Sequence, residues 1–387
     1  MRKLSALIVA FIFLNIQPTH AVETLPQPFF NYLNSKYLGD PGVILIDKAS
    51  GEVIYESGST KARTPASVLK LTSAAAIALT LDASTVFKTA IYKTEKRGVF
   101  VIWGENDPWI TSNAKYRDAN KRAYMPKLIK AAFASDKKLK KITLIYKGVN
   151  NSDIYYAKKA LKRRASVAYK PLSKNIEVES LITEKISQVE SPPLSKMIRF
   201  ALLYSDNVLS QRLAMLATGK NGYPLNKEGL NDMAHEKLTT LGIDTKGMKL
   251  VDGSGLSGSN RISAVTVSQL LLKIRSEPQL KVVYDSLPVG GESGTLIGRY
   301  HTTAPQAVGI VKAKTGSTRH TVSLAGYTTS GEKEYVFVVI ADGVGRTKRL
   351  QNAARSAIDR MLGTITKPVV IGLTPPTVEN TAAAIPQ

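Results

Sequence analysis

The pattern of apolar and polar positions predicts a hairpin followed by a helix near the start of the chain. Residues 43–47 and 52–56 form two short apolar or alternating runs, and the polar stretch between them ends in Gly51, which is typical of a β-hairpin. Pro65 precedes an alanine-rich segment over residues 67–79. Because alanine has the highest helix propensity, this segment is predicted to be helical.

The middle of the chain differs in composition from both flanks. From Thr85 onward, strand-like runs over residues 98–103 and 142–146 flank a helical stretch near residues 124–134. A Pro-Pro pair at residues 192–193 then marks the start of another region. The middle segment is therefore predicted to be a separate unit.

In the last part of the chain, predicted helices precede predicted strands. Helical patterns cover residues 194–204, 227–241, 264–274 and 346–362, and a further one follows the polar break at 205–207 and runs to residue 217. Strand patterns cover residues 309–314, 322–328 and 335–341. The sequence thus predicts a mixture of both element types.

The first 21 residues resemble a secretion signal. Arg2 and Lys3 precede a mostly apolar run over residues 4–16, and small residues surround the expected cleavage site after Ala21. A membrane anchor is the alternative, but this run of 13 residues is shorter than the roughly 20 residues needed to span a bilayer. We therefore expect a protein that is secreted across the cytoplasmic membrane and acts in the periplasm or outside the cell.

The formal net charge of +23 is concentrated in the middle segment. Residues 85–174 contain 22 Lys or Arg against 6 Asp or Glu, a net charge of +16, and the most cationic stretch is residues 158–164. Basic clusters are typical of nucleic-acid binding, but export argues against that partner. Anionic wall polymers or a membrane surface are the partners that fit, and a solvated basic face without a partner is the alternative.

Composition also excludes several kinds of site. The chain has no cysteine, which excludes disulfides, thiol catalysis and thiolate metal sites. The four histidines, at positions 20, 235, 301 and 320, show no paired ligand spacing. No metal site is therefore predicted.

Ser67 and Lys70 form the strongest candidate for catalysis. They lie three residues apart at the start of the predicted helix, so their side chains share one face. A desolvated lysine is able to act as the base that removes the proton of a serine hydroxyl. The same SxxK spacing occurs at Ser135 and Ser330, which we interpret as surface turns, so the spacing alone is weak evidence.

Two further motifs add to this pair. Ser205-Asp206-Asn207 lies in a break between two predicted helices, where a helix cap is the alternative role. Lys314-Thr315-Gly316 ends a predicted strand; its lysine and threonine are able to hold a carboxylate, and its glycine lets a substrate backbone approach the strand edge. The order SxxK, SxN and KTG is the signature of penicillin-recognising serine enzymes.

Longer blocks make this resemblance specific. The block Asp252-Gly-Ser-Gly-Leu-Ser257 resembles that of the D-Ala-D-Ala carboxypeptidase/endopeptidase family, the low-molecular-mass class C penicillin-binding proteins of the penicillin-binding protein 4 type. Segments at 191–194, 294–296 and 323–327 resemble the same family. Gly258 and His320 depart from its pattern at positions on the expected cleft rim.

The resemblance implies an α/β (α+β) fold of the penicillin-binding-protein and serine β-lactamase type, in which helices cover an antiparallel sheet. The catalytic domain would comprise residues 22–84 and 190–366, with a basic inserted domain at 85–189 and a disordered tail at 367–387.

The resemblance also implies a division of roles among the motif residues. Ser67 would be the nucleophile, Lys70 its base, Ser205 a proton relay to the leaving amine, and Asn207 the group that orients the substrate amide and Lys70. Substrate binding would fall to Lys314, Thr315, Gly316 and Ser317, with the backbone N–H groups of Ser67 and Ser317 as the oxyanion hole. No cofactor or metal is required, and the expected partners are peptidoglycan stem peptides and β-lactam antibiotics.

Three alternatives share these motifs. An endopeptidase that cuts peptide crosslinks would use the same site and could coexist with carboxypeptidase activity. A serine β-lactamase would differ in hydrolysing its acyl-enzyme quickly. A non-catalytic cell-wall-binding protein of the same fold would not need all six polar residues of the three motifs.

Overall fold

The computed structural model describes residues 25–161, 166–173 and 175–366. The expected signal at residues 1–21 and the expected tail at residues 367–387 lie outside the described residues. The strands are β1 (Gly42–Asp47), β2 (Val53–Ser57), β3 (Lys88–Lys93), β4 (Val99–Gly104), β5 (Lys141–Lys147), β6 (Ser166–Pro171), β7 (Lys185–Glu190), β8 (Lys312–Ser317), β9 (Val322–Ser330) and β10 (Lys333–Ala341).

The helices lie between these strands and on either side of them. They are α1 (Gln27–Leu33), α2 (Lys70–Ala78), α3 (Ala114–Asn120), α4 (Met125–Ser135), α5 (Asn151–Leu161), α6 (Leu194–Leu203), α7 (Asn207–Lys220), α8 (Lys227–Thr240), α9 (Ala264–Ser276), α10 (Lys281–Asp285) and α11 (Lys348–Gly363). Short 3₁₀ turns cover Ala66–Leu69, Pro278–Leu280, Gly294–Leu296 and Pro305–Ala307.

The first sheet is entirely antiparallel, in the order β2-β1-β10-β9-β8. Successive residues of β1 face opposite sides: Ile44 and Ile46 belong to the core under α2, α6, α7 and α9, whereas Val43 and Leu45 belong to the core under α1 and α11. Both faces are thus covered by helices. The expected fold class, an antiparallel sheet covered by helices, is confirmed.

The second sheet is mixed, in the order β6-β5-β4-β3-β7, with β4, β5 and β6 parallel to one another. It has its own core, to which α4 and α5 contribute. All five strands come from residues 88–190, and we call this part of the chain the second-sheet unit. The strands of the first sheet all lie outside that range.

Two boundaries near the motifs differ from the sequence-based predictions. The strand expected at residues 309–314 runs instead over Lys312–Ser317, because Gly309 has a φ of +77° and a 3₁₀ turn precedes it, so the backbone becomes extended only later. The KTG motif therefore lies inside β8 rather than at its end. The helix expected from residue 67 begins with the 3₁₀ turn Ala66–Leu69, and α2 starts at Lys70.

Several elements were not predicted at all, namely α1, α3, α5, α10, β3, β6 and β7. The outer strands β6 and β7 bury little of their surface and begin with polar residues, so their sequences carry a weak alternation signal. No helix among the described residues has the length and apolar character that would be needed to cross a bilayer.

Candidate active site

Ser67 lies in the 3₁₀ turn that leads into α2. The preceding residue, Ala66, has a φ of +50°, which is unusual for a residue other than glycine. Gly255 packs directly against this turn: a Cβ on Gly255 would lie only 1.9 Å from the carbonyl oxygen of Ala66. One turn later, the Lys70 amine Nζ lies 2.8 Å from the Ser67 hydroxyl Oγ. The turn thus presents the serine and the lysine to each other.

Lys70 is buried, and three oxygen atoms surround its amine. Besides Ser67 Oγ, Lys70 Nζ donates to Asn207 Oδ1 at 2.7 Å and to the carbonyl oxygen of Ser254 at 2.5 Å. Burial lowers the pKa of Lys70 to about 8, against the negative charges of Asp252 and Asp206, which raise the pKa. A lysine with this pKa is neutral in about a tenth of molecules at pH 7, so it is able to accept a proton.

A second lysine, Lys314 of β8, lies on the other side of the site. Its amine donates to Ser205 Oγ at 3.0 Å and to the carbonyl oxygen of Thr315 at 2.9 Å, and its side chain is fully buried. Burial and the charge of Lys70 hold the pKa of Lys314 well below its usual value. Each lysine is therefore hydrogen-bonded to one candidate serine: Lys70 to Ser67 and Lys314 to Ser205.

The remaining substrate-binding candidates lie along β8. Gly316 packs so closely on the Ser67 turn that a Cβ there would lie 2.7 Å from the carbonyl oxygen of Pro65. Thr315 donates its hydroxyl hydrogen to Thr295 Oγ1 at 2.8 Å, and Ser317 Oγ accepts a hydrogen bond from Arg355 at 2.8 Å. The structure thus brings the predicted residues of all three motifs into one region, and adds Thr295 and Arg355 beside β8.

The turn at Asp252 supplies the third contact of Lys70. Both carboxylate oxygens of Asp252 accept backbone hydrogen bonds, among them those of Ser254, Gly255 and Ser257 at 2.7 Å each. Burial alone would raise the pKa of Asp252, but these hydrogen bonds, with those from the Ser254 hydroxyl and the Asn260 amide, lower it. A carboxylate held in this way fixes the turn, and the turn aims the Ser254 carbonyl at Lys70.

Sequence reasoning missed three of these residues as contributors to the site. Thr295 and Ser254 lie in segments that carried the family resemblance, so their positions were noted without a role. Arg355 lies within α11, where no local pattern distinguishes it from the other basic residues of that helix.

The other two SxxK serines stand apart from this arrangement. Ser135 ends α4 in the second-sheet unit, and its hydroxyl donates to the carbonyl oxygen of Ala132. Ser330 ends β9 at the turn that contains Gly331. Within residues 25–161, 166–173 and 175–366, no group of three or more His, Asp or Glu side chains could hold a metal ion.

A cavity of about 610 Å³ adjoins the site, between the second-sheet unit and the residues of α7 and the Asp252 turn. Asn207, Ser254 and Leu256 line it from one side, and Asn150 and Ser152 of the second-sheet unit line it from the other. A larger cavity of about 770 Å³ lies at the C-terminal end of α2 and is lined by none of the motif residues. The smaller of these two cavities thus adjoins Asn207 and Ser254, the two residues whose oxygen atoms contact the amine of Lys70.

Comparison with known proteins gives a consistent picture. The model of the D-Ala-D-Ala carboxypeptidase 3 (S13) family matches residues 156–365, more than half of the chain. This range includes the SDN and KTG motifs but not the Ser67 turn. The chain is 28% identical over 367 residues to the carboxypeptidase DacB of Mycolicibacterium smegmatis, an alignment that covers 82% of this chain and 80% of the relative.

A second relative and a solved structure agree with this match. The chain is 43% identical over 113 residues to a D-alanyl-D-alanine carboxypeptidase of Actinomadura, covering 28% of this chain and 21% of that protein. Its fold matches the crystal structure of penicillin-binding protein 4 (dacB) from Haemophilus influenzae with a TM-score of 0.66, at 18% identity, over 83% of this chain and 95% of the other.

Proposed function

The chain belongs to the D-Ala-D-Ala carboxypeptidase 3 (S13) family, and we propose that it is a serine-type D-Ala-D-Ala carboxypeptidase that acts on peptidoglycan stem peptides through an acyl-enzyme on Ser67. The observation that carries this proposal is the contact of 2.8 Å between Lys70 Nζ and Ser67 Oγ. The burial that lowers the pKa of Lys70 to about 8 supports it further, because a base must be neutral before it accepts a proton.

In the acylation step, neutral Lys70 takes the hydroxyl proton of Ser67 while Ser67 Oγ attacks the carbonyl carbon between the two terminal D-alanines. The negative charge that forms on the carbonyl oxygen is stabilised by the backbone N–H groups of Ser67 and Ser317. The amide bond then breaks. Ser205 relays to the leaving amine the proton that Lys70 took from Ser67, so Lys70 becomes neutral again and the terminal D-alanine departs.

Substrate binding is assigned to β8. Lys314, Thr315 and Ser317 receive the terminal carboxylate of the peptide, and Gly316 leaves room for its backbone along the strand. Asn207 orients both the substrate amide and Lys70, with which it shares a hydrogen bond of 2.7 Å. In the second step, Lys70 takes a proton from the water that attacks the ester carbonyl, and it passes this proton to Ser67 Oγ as the ester bond breaks. The shortened peptide then leaves with a free carboxylate.

The alternatives are less well supported. The family match does not favour a β-lactamase or a non-catalytic wall-binding protein, and a binding module would have no use for two buried lysines that each contact a serine. Endopeptidase activity on crosslinks uses the same chemistry, and the cavity of about 610 Å³ beside Asn207 offers room for a branched peptide. We therefore propose it as a second activity of this site.

Two assays test the acyl-enzyme. The first is incubation with penicillin followed by intact-mass analysis, and the second measures the release of D-alanine from a D-Ala-D-Ala peptide. We expect a 1:1 adduct on the peptide that contains Ser67. Ser67→Ala should abolish both adduct and release, and Lys70→Ala should lower acylation about 10²- to 10⁴-fold. Ser135→Ala and Ser330→Ala are the matched controls and should behave as wild type. Absence of an adduct would contradict the proposal, and rapid turnover of penicillin would favour a β-lactamase.

We also propose that the protein is exported and that residues 85–189 form an inserted domain whose basic face contacts an anionic wall polymer or membrane surface. The exposed Lys158 and Lys159 at the end of α5 support this, together with Lys127, Lys130 and Lys137 on α4 and just after it. Residues 162–164 of the same basic cluster lie outside the described residues. Electrostatic docking weakens with salt, because charges are screened over about 8 Å at physiological ionic strength.

Sedimentation with insoluble wall material across a salt series tests this surface. Replacement of Lys158, Lys159, Lys162, Arg163 and Arg164 by glutamine should lower wall binding at low salt and leave hydrolysis of a short D-Ala-D-Ala peptide unchanged. If the five-site variant bound the wall material at low salt as well as wild type does, the cluster would be a solvated basic face without a partner.

A further inference from the structure

An ion pair between a buried arginine and a partly buried aspartate joins the second-sheet unit to the turn that carries Ser205 and Asn207. Arg122 lies between α3 and α4, and one of its terminal nitrogens donates to Asp206 Oδ2 at 3.2 Å. Asp206 is the middle residue of the turn and lies 84 positions further along the chain. The pair therefore connects the second-sheet unit to the residues that contact both lysines of the site.

The position of Arg122 is fixed from several sides. The residue is only 4% exposed. Its guanidinium carbon lies 4.6 Å from the ring centre of Trp109, 5.4 Å from that of Phe200 and 5.6 Å from that of Tyr116. Guanidinium groups stack well on aromatic rings, and a buried charge needs an opposite charge nearby. Arg122 is thus a rigid donor aimed at one carboxylate.

Asp206 uses its two oxygens for two different tasks. Its Oδ1 accepts the backbone N–H of Leu209 at 2.7 Å and so caps the N-terminus of α7, while its Oδ2 meets Arg122. The neighbouring Ser205 has a φ of +55°, a conformation that residues other than glycine keep only when their surroundings hold them in it. The turn therefore depends on contacts from outside itself.

We propose that Arg122 is a positioning residue that acts through Asp206: it holds the turn so that Asn207 meets Lys70 and Ser205 meets Lys314. The role rests on the proposed function, because it matters only if Ser67 and Lys70 perform the acylation. The second-sheet unit is then a part of the active site, since it supplies the residue that orders the SDN turn.

The charges around Lys70 provide a readout that a purely structural role would not move. The negative charges of Asp252 and Asp206 raise the pKa of Lys70, and the Lys314 amine is the other titratable group close to it. Arg122 offsets part of the charge of Asp206. Loss of Arg122 should therefore raise the pKa of Lys70, whereas loss of the Asp206 charge should lower it.

The experiment measures the second-order rate of penicillin acylation against pH for two variants of the pair. Arg122→Met removes the guanidinium, and we expect acylation at pH 7 to fall about 10- to 100-fold, because small misplacements in an active site have effects of that size. Its pH inflection should move to higher pH. Asp206→Asn keeps the acceptor that caps α7, and its inflection should move to lower pH.

A conservative variant and a double variant narrow the interpretation. Arg122→Lys keeps the charge but not the planar fork, so it should recover part of the lost rate. The Arg122→Met/Asp206→Asn double variant should lose less than the product of the two single losses, because both act on one contact.

Asp153→Asn is the matched control. Asp153 of α5 pairs with Arg212 of α7 at 2.8 Å, so this change also breaks an ion pair between the second-sheet unit and α7, but it leaves the direct contact of Arg122 with Asp206 in place. The control should keep the wild-type acylation rate and inflection even if its melting temperature falls.

Three outcomes would overturn the proposal. One is acylation of Arg122→Met within twofold of wild type with an unchanged inflection. Another is an equal loss in Asp153→Asn. If Arg122→Met does not fold, an Asp206→Asn variant with wild-type rate and inflection overturns it. Failure of the wild type to be acylated would instead contradict the proposed function of Ser67.

Discussion

Asn207 Oδ1 lies 2.7 Å from Lys70 Nζ, although 137 positions separate the two residues in the chain. The amide is a neutral acceptor, so it orients the amine of Lys70 without adding a charge that would favour protonation. This contact links the SDN turn to the SxxK helix, and it makes the basicity of Lys70 sensitive to the residue at position 207.

We predict that Asn207→Asp slows acylation at pH 7 by about tenfold or more. A carboxylate next to Lys70 stabilises its protonated form, so the pKa of Lys70 rises and the neutral fraction falls. The measurement is the rate of penicillin acylation from pH 6 to 10, in which the inflection should move to higher pH. Asn226→Asp, which changes the N-cap of α8 to another good capping residue, is the control. An unmoved inflection in Asn207→Asp would contradict Lys70 as the base.

The acylation rate of the wild-type enzyme should increase with pH, reach half of its maximum near pH 8 and level off about one pH unit higher. Burial lowers the pKa of Lys70 to about 8, and the neutral form is the active base, so the rate follows deprotonation of this amine. A stopped-flow series with a chromogenic β-lactam gives the profile. A rate that is flat from pH 6 to 10 would show that a different group, or none, accepts the proton.

Arg355→Gln should weaken binding of substrates that end in a free carboxylate. Arg355 donates to Ser317 Oγ at 2.8 Å, at the end of β8 where the terminal carboxylate is proposed to bind. We expect KM for a D-Ala-D-Ala peptide to rise about tenfold, in line with the value of hydrogen bonds to charged groups. The peptide with its C-terminus amidated should be affected less. Arg360→Gln changes an exposed residue of the same helix and is the control. If Arg355→Gln raised KM equally for the free and the amidated peptide, a contact with the carboxylate would be contradicted.

Asp107 should make the folded protein less stable as the pH rises from about 4 to 7. Burial raises the pKa of Asp107 to about 7, against hydrogen bonds from the backbone of Trp109 and Ile110 that lower it. Between these pH values the unfolded chain loses this proton while the folded chain keeps it, so the unfolded state gains in stability. The contribution is on the order of a few kcal/mol.

Urea unfolding at pH 4.5 and pH 7.5 tests this expectation. Asp107→Asn cannot ionise, so its free energy of unfolding should fall less between the two pH values than that of wild type. Asp118→Asn removes an exposed carboxylate and should leave the wild-type difference unchanged. Equal pH dependence in Asp107→Asn and wild type would contradict a raised pKa for this group.

The sequence alone determined those features that depend only on residues close together in the chain, such as hairpins, helices and motif spacing. The hairpin of β1 and β2 was predicted from two apolar runs around Gly51, and most helices of the last part of the chain from their periodicity. The closeness of Ser67 and Lys70 follows from spacing, because residues three apart share one face of a helical turn. The family resemblance also came from short blocks, and the family match confirms it.

Only the tertiary structure decided which distant groups meet. Lys70 contacts Ser254, 184 positions away, and Lys314 contacts Ser205, 109 positions away. These contacts arise because α2 packs against α7, β8 packs against the Ala66–Leu69 turn, and the Asp252 turn packs on that same turn through Gly255; no local pattern records this. Likewise, the lowered pKa of Lys70 comes mainly from burial, and burial is a property of the packed fold. The pairing of Arg122 with Asp206 belongs to the same class, because it depends on where the second-sheet unit meets the N-terminus of α7.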